Sequence, residues 1–180
     1  MGGAYFAEEP LAEMILWYSL HRLQERYVTV IDSGRLEEWP DLFTEDGVYE
    51  IVPKENADLG LPVGIMHCFG RAMMCDRIIS LREANLFEPH TYRHMTSGLE
   101  FTQVDADTVD MQSNYVVIQT LTNGESTVYQ AGRYFDRVVR SAANPDLLNV
   151  TYNCGDGIHP SPLGYFQMGK SVDLDLFETK

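Results

Sequence analysis

The sequence predicts an α+β fold in which N-terminal helices pack against a strongly curved, mostly antiparallel sheet. Three observations carry this expectation. Apolar residues recur at the helical period from Glu8 to about Ser33, and a second helical stretch runs from about Phe69 to Ala84. From Tyr92 onward the period becomes two. Turn signals at Asn123-Gly124 and Asn144-Pro145 then divide the second half into long strands. Helices first and a long meander afterwards is an α+β layout. A sheet curved around its helices encloses a cone with a pocket at its mouth.

Each element has its own reason. In the first helix, Pro10 suits the opening turn, and Glu8 and Glu9 complement the positive helix end. Leu16, Leu20, Leu23, Tyr27 and Ile31 form its apolar stripe, and Ile15, Trp17 and Tyr18 widen it, so more than one face is expected to be buried. Asp32-Ser33-Gly34 ends it. Leu36–Trp39 forms one helical turn, Pro40 restarts the chain, and Trp39 and Phe43 share a face at four-residue spacing. Asp46-Gly47 reads as a turn before a first strand at Val48–Val52, and 53–62 reads as a loop.

The stretch from Asp76 to His94, DRIISLREANLFEPHTYRH, concentrates charge and aromatic character. Met74, Ile78, Leu81 and Asn85 follow the helical spacing, with Asn85 as C-terminal cap. Pro89 stops the helix and pushes Glu88 towards extended backbone. Strands follow at Tyr92–Gln103, Thr108–Leu121, Ser126–Arg140 and Leu147–Tyr152. Tyr129, Ala131, Phe135 and Val139 are placed on one face of the third of these, and Asn123-Gly124 is read as a type I′ hairpin. From Cys154 the composition turns to Gly and Pro, and the last residues alternate apolar and acidic side chains like a docked arm.

A single domain is expected over 1–180, with 1–13 as an N-terminal extension and 154–180 as a C-terminal arm. The 44% hydrophobic content is enough for a core. A net charge of −14 is repelled by a phosphate backbone and by an anionic membrane surface, which argues against nucleic acid and membrane as partners. Cys68, Cys75 and Cys154 are an odd set without regular spacing, so reduced thiols and a cytoplasmic location are expected. The start, MGGAYFAEEP, has neither the basic nor the apolar region of a signal peptide.

The histidines do not spell a metal site. His90 and His94 are four apart, but on extended backbone that separates them by about 13 Å, too far to share an ion. No Rieske pair of Cys-x-His and Cys-x-x-His occurs, nor a mononuclear iron triad, a phosphate loop or a Gly-x-Ser-x-Gly elbow. One polar constellation remains. Asp32 at the end of the first helix, Tyr49 on the first strand, and His94 and Asn114 on later strands all fit the interior of a cone. An Asp–His pair with a Tyr is general acid–base machinery, as a stand-alone dehydratase or isomerase of this fold would use. The plainer alternative is a local cap at Asp32 and a structural histidine. A third is a small-molecule-binding or purely oligomeric module.

Asp32 with Trp39, Phe43, Asp46 and Tyr49, then GLPVGIM, the Asp76–His94 block, NYVVIQT, Asn123-Gly124 and YQAGRYFDRVV together resemble the small (β) subunits of Rieske non-haem iron aromatic-ring-hydroxylating oxygenases. The likeness covers roughly 14–153 and is strongest to the branch acting on aromatic carboxylates such as salicylate, anthranilate or terephthalate. It implies a nuclear-transport-factor-like cone and a mixed assembly, usually three large and three small subunits. It also implies that the Rieske [2Fe-2S] cluster and the mononuclear iron sit in the large (α) subunit, fed by a reductase or ferredoxin. By the same resemblance this chain is structural, without catalytic, metal or cofactor residues of its own, and Arg77, Arg82, Arg93 and His94 are candidates for contact with the large subunit. The first dozen residues and the stretch after Asn153 depart from the pattern.

Overall fold

Long-range pairing, not local helix, dominates the molecule. The computed structural model describes residues 8–61, 63–84, 88–140 and 148–156, with backbone alone for 8–10 and 148–156. Helix α1 (Glu8–Asp32) is followed by two 3₁₀ turns at Leu36–Glu38 and Pro40–Leu42. Strand β1 (Phe43–Val52), the short helix α2 (Lys54–Asp58), β2 (Met66–Phe69) and α3 (Arg71–Glu83) come next. Four strands complete the fold: β3 (His90–Gln103), β4 (Thr108–Leu121), β5 (Ser126–Arg140) and β6 (Leu148–Asp156). They form one six-stranded sheet in the order β2-β1-β6-β5-β4-β3. Every pairing is antiparallel except that of β1 with β6.

The core lies between the helices and the concave face of the sheet. Leu20, Leu23, Tyr27, Val28 and Val30 of α1 meet Met74 and Ile78 of α3 and the inward residues of β4 and β5. On β4 the alternation is strict: Val109, Met111, Ser113, Tyr115, Val117 and Gln119 are buried. Gln24 of α1 donates to the Ser113 hydroxyl across this interface, so two buried polar groups satisfy each other. Trp39 stands edge-on to Phe43 and Tyr49, with ring centroids 5.4 and 4.9 Å apart, as the four-residue spacing of Trp39 and Phe43 predicts.

Several expectations change in detail. The stripe of α1 buries Leu20, Leu23 and Tyr27, but Leu11, Met14, Ile15, Trp17 and Tyr18 are all more than 40% exposed, so no described residue covers the second apolar face of α1. Asp46-Gly47 is no turn. It lies inside β1, where the register with β6 slips between Phe43 and Val48. The segment read as a loop contains α2, and β2 was not foreseen. Leu81 is exposed rather than buried. Asn123-Gly124 does turn the chain, but only Gly124 has a positive φ (86°), which excludes type I′. Gly124 N–H instead closes on the Leu121 carbonyl at 2.9 Å, making a longer hairpin. On β5 a register slip opposite Val117 and Ile118 leaves Tyr129 unpaired. Beyond it the even residues Tyr134, Asp136 and Val138 face the core, so Tyr129 does not share its face with Ala131, Phe135 and Val139. Strand β6 continues to Asp156 and takes in the start of the expected arm. The Asn85 cap, the Asn144-Pro145 turn, the start at 1–7 and the tail 157–180 lie outside the described residues.

Candidate functional site

The sheet's curvature leaves a cavity of about 180 Å³ between α1 and the concave face. Six of the ten tyrosines line it: Tyr27, Tyr49, Tyr92, Tyr115, Tyr129 and Tyr134. Ile31, Ile51, Val117, Gln130 and His94 are its other described lining residues. The rings brace one another. Tyr115 and Tyr134 stack at 4.4 Å, Tyr92 and Tyr129 meet at 5.2 Å, and Tyr27 stands edge-on to Tyr134 at 5.7 Å. Tyr27 is hydrogen-bonded to Tyr49, and Tyr92 to Tyr129 and to Gln119.

Burial raises the ionisation of these phenols, because the tyrosinate would lose its hydration. Tyr49 is pushed up to about 12 by desolvation, and Tyr27, Tyr92 and Tyr134 also rise, desolvation again leading. These hydroxyls therefore stay protonated, as donors, across the physiological range.

Asp32 and His94 meet at the edge of this cavity. The helix end and β3 bring them together as the sequence reading expects: His94 Nδ1 lies 2.6 Å from Asp32 Oδ1, and the His94 backbone N–H donates to Oδ2 at 2.8 Å. Both side chains are largely buried. A carboxylate oxygen only accepts, so Nδ1 carries the hydrogen, and in the neutral ring Nε2 offers its lone pair. Tyr49 shares the cavity with His94, but Asn114 does not. Asn114 is exposed on the outer face of β4, because residues of its parity point away from the core there while Ser113 and Tyr115 point in. The tyrosines other than Tyr49 were missed. The parity of β4 could have given Tyr115, whereas Tyr129 and Tyr134 share the cavity only because of the irregularity in β5.

The arginine-rich block does not act as one patch. Arg82 is held by Glu37 at 2.9 Å and by the Gly34 carbonyl at 2.6 Å, fastening α3 to the chain after α1. Arg77 is exposed and hydrogen-bonds Cys68, whose thiol is raised by burial despite that cation. Arg93 is exposed too, donating to the Tyr92 carbonyl at 2.8 Å and to that of Asp32 at 3.2 Å. His90 and His94 both lie on extended β3, and His90 Nδ1 contacts the Glu88 carbonyl oxygen. Among the described residues no group of three His, Cys, Asp or Glu side chains could hold a metal ion. No helix among the described residues is long and apolar enough to cross a membrane.

Comparison with known proteins places this geometry. Residues 18–144 match the SnoaL-like domain family. The chain is 59% identical over 129 residues to the anthranilate 1,2-dioxygenase small subunit of Burkholderia cepacia, covering 72% of this chain and 80% of that one. This chain belongs to the small-subunit family of aromatic-ring-hydroxylating dioxygenases. The small subunit is also 36% identical to a terephthalate 1,2-dioxygenase terminal oxygenase β subunit from Comamonas, over 62% of this chain and 72% of the relative. Among solved structures, a chain assigned as the β subunit of an aromatic-ring-hydroxylating dioxygenase from Novosphingobium aromaticivorans superposes on this small subunit with a TM-score of 0.73. That pair is 32% identical, and the match covers 84% of this chain and 96% of the other. The cone of helices and curved sheet is thus the family fold, and the small subunit is part of an oxidoreductase.

Proposed function

We propose that this chain is the structural β subunit of a Rieske-type oxygenase that hydroxylates an aromatic carboxylate, with anthranilate-like acids first among candidates. The observation that carries the reading is the 59% identity to a named small subunit over four-fifths of its length. The partner is a large (α) subunit that holds the Rieske [2Fe-2S] cluster and the mononuclear iron, in a three-plus-three assembly reduced by a ferredoxin or reductase in the cytoplasm. This chain's part is to stabilise that subunit, and no catalytic step is assigned to its own residues.

Surface chemistry supports an assembling role. Leu59, Leu61, Val63, Ile65, Phe69 and Met73 are all substantially exposed around β2, the edge of the sheet. An apolar face of this kind suits an obligate partner such as the large subunit. Arg77 and Arg93 are exposed and suit bidentate contacts with carboxylates of that partner. Of the other two candidates, Arg82 is exposed and tied to Glu37, and His94 is largely buried and tied to Asp32. Native mass spectrometry of the chain expressed with its neighbouring large-subunit gene, with an iron assay, tests the proposal. A mixed complex carrying iron is expected, together with an iron-free small subunit when it is expressed alone. A homo-oligomer that never captures the large subunit overturns it.

A further inference from the structure

The cavity's walls have a composition that assembly alone does not require. Its described lining combines aromatic rings, three aliphatic side chains, Gln130 and His94, with neither lysine nor arginine. Four of the tyrosine hydroxyls are linked in pairs, Tyr27 with Tyr49 and Tyr92 with Tyr129. His94 Nδ1 is committed to Asp32, and Nε2 has no partner among the described residues. We propose that this cavity binds a neutral monocyclic phenol, its ring against the tyrosine walls and its hydroxyl donated to His94 Nε2.

Size, shape and charge converge on that class. A dry cavity of about 150 Å³ takes up benzene, so the 180 Å³ present here has room for one hydroxylated ring. The stacked and edge-on tyrosines present both faces and edges to such a ring. An aromatic carboxylate would meet neither lysine nor arginine among the described lining residues, in a chain of net charge −14, with Asp32 behind His94 and Asp136 buried beside Tyr134. The hydroxyl of a phenol can donate to Nε2 of the neutral imidazole. This inference stands apart from the identity of the partner subunit.

The test uses the full 180-residue chain, with phenol and benzoate as probes in isothermal titration calorimetry. Phenol is expected to bind at least ~10-fold more tightly than benzoate, a difference of about 1.4 kcal/mol. In Ile51→Phe, which fills the cavity, phenol affinity should fall by roughly 10-fold or more. Two readouts on the unsubstituted chain hold even if that variant does not fold. Nuclear Overhauser contacts should join phenol to the rings of Tyr115 and Tyr134, and the nitrogen resonance of His94 Nε2 should shift on binding. Absent phenol binding, equal or tighter benzoate binding, undiminished affinity in a folded Ile51→Phe chain, contacts confined to other residues or an unmoved Nε2 resonance each overturn the proposal.

Discussion

Asp32 takes two hydrogen bonds from a single residue, the ring and the backbone N–H of His94, and so ties the end of α1 to the start of β3. In Asp32→Asn the amide can still accept from the backbone N–H, but its NH₂ then faces the Nδ1 hydrogen. A charged, largely buried acceptor is lost, and the cost should be about 1–3 kcal/mol, read as a lower melting temperature of the folded chain. The tyrosines make a second residue-scale prediction. Tyr27, Tyr49, Tyr92 and Tyr134 all ionise higher folded than unfolded. Between the unfolded value of about 10 and the raised folded values, the native state holds more protons, so stability falls as pH rises through that window and is fully present below it. Denaturant titrations at stepwise higher pH should show this decline, with tyrosinate absorbance for these four appearing together with unfolding. At this scale the sequence was partly legible. Asp32, Tyr49 and His94 could be picked by chemistry, because each is a polar group next to an apolar pattern. Asn114 could not be rejected, because it differs from its buried neighbour Tyr115 only by strand parity.

At the level of elements, β2 and the residues before it show what periodicity misses. Gly64 N–H donates to His67 Nε2 at 2.9 Å, and His67 Nδ1 meets Glu50 at 2.9 Å, so the short hairpin of β1 and β2 is pinned by side chains rather than by a long apolar run. A methyl on Gly64 would stand 2.5 Å from His67 Nε2 and 2.8 Å from the Ile51 carbonyl oxygen. Gly64→Ala should therefore destabilise the fold by about 1–3 kcal/mol, seen as a shifted urea midpoint with an unchanged slope. A four-residue strand at a sheet edge leaves too few positions for alternation to register, which is why the sequence reading passed over it. The long strands β4 and β5 were readable to the residue because each carries many alternations between clear turns. The face reversal within β5 was not, since one unpaired residue leaves the composition unchanged while inverting every position after it.

For the whole molecule, the exposed surface matters more than the core. Arg93 spans the junction of α1 and β3 on the outside, where its guanidinium donates to the backbone carbonyls of Asp32 and Tyr92. Arg93→Ala should leave the isolated chain's melting temperature within about 0.5 kcal/mol of stability. It should weaken capture of the large subunit, measured as the fraction of mixed complex in native mass spectra. Undiminished assembly would remove Arg93 from the contact surface. The apolar side chains of α1 that find no cover among the described residues belong to the same question. Helical spacing showed that they form a face, but whether a face is buried depends on what other chain lies against it.

The one parallel pairing in the sheet has a consequence for how the protein is made. Strand β1 leaves the ribosome early, yet its partner β6 follows only after roughly a hundred further residues, a costly loop to close. Until then the nascent chain carries an unfilled slot beside β1, open to any stray strand of a neighbouring polysome. The gap shuts only when β6 takes its place between β1 and β5, so closure of the sheet waits for a strand far along the chain. A chain ending before residue 148 would hold the β1–β2 hairpin and the β3–β5 meander with no strand pairing between them.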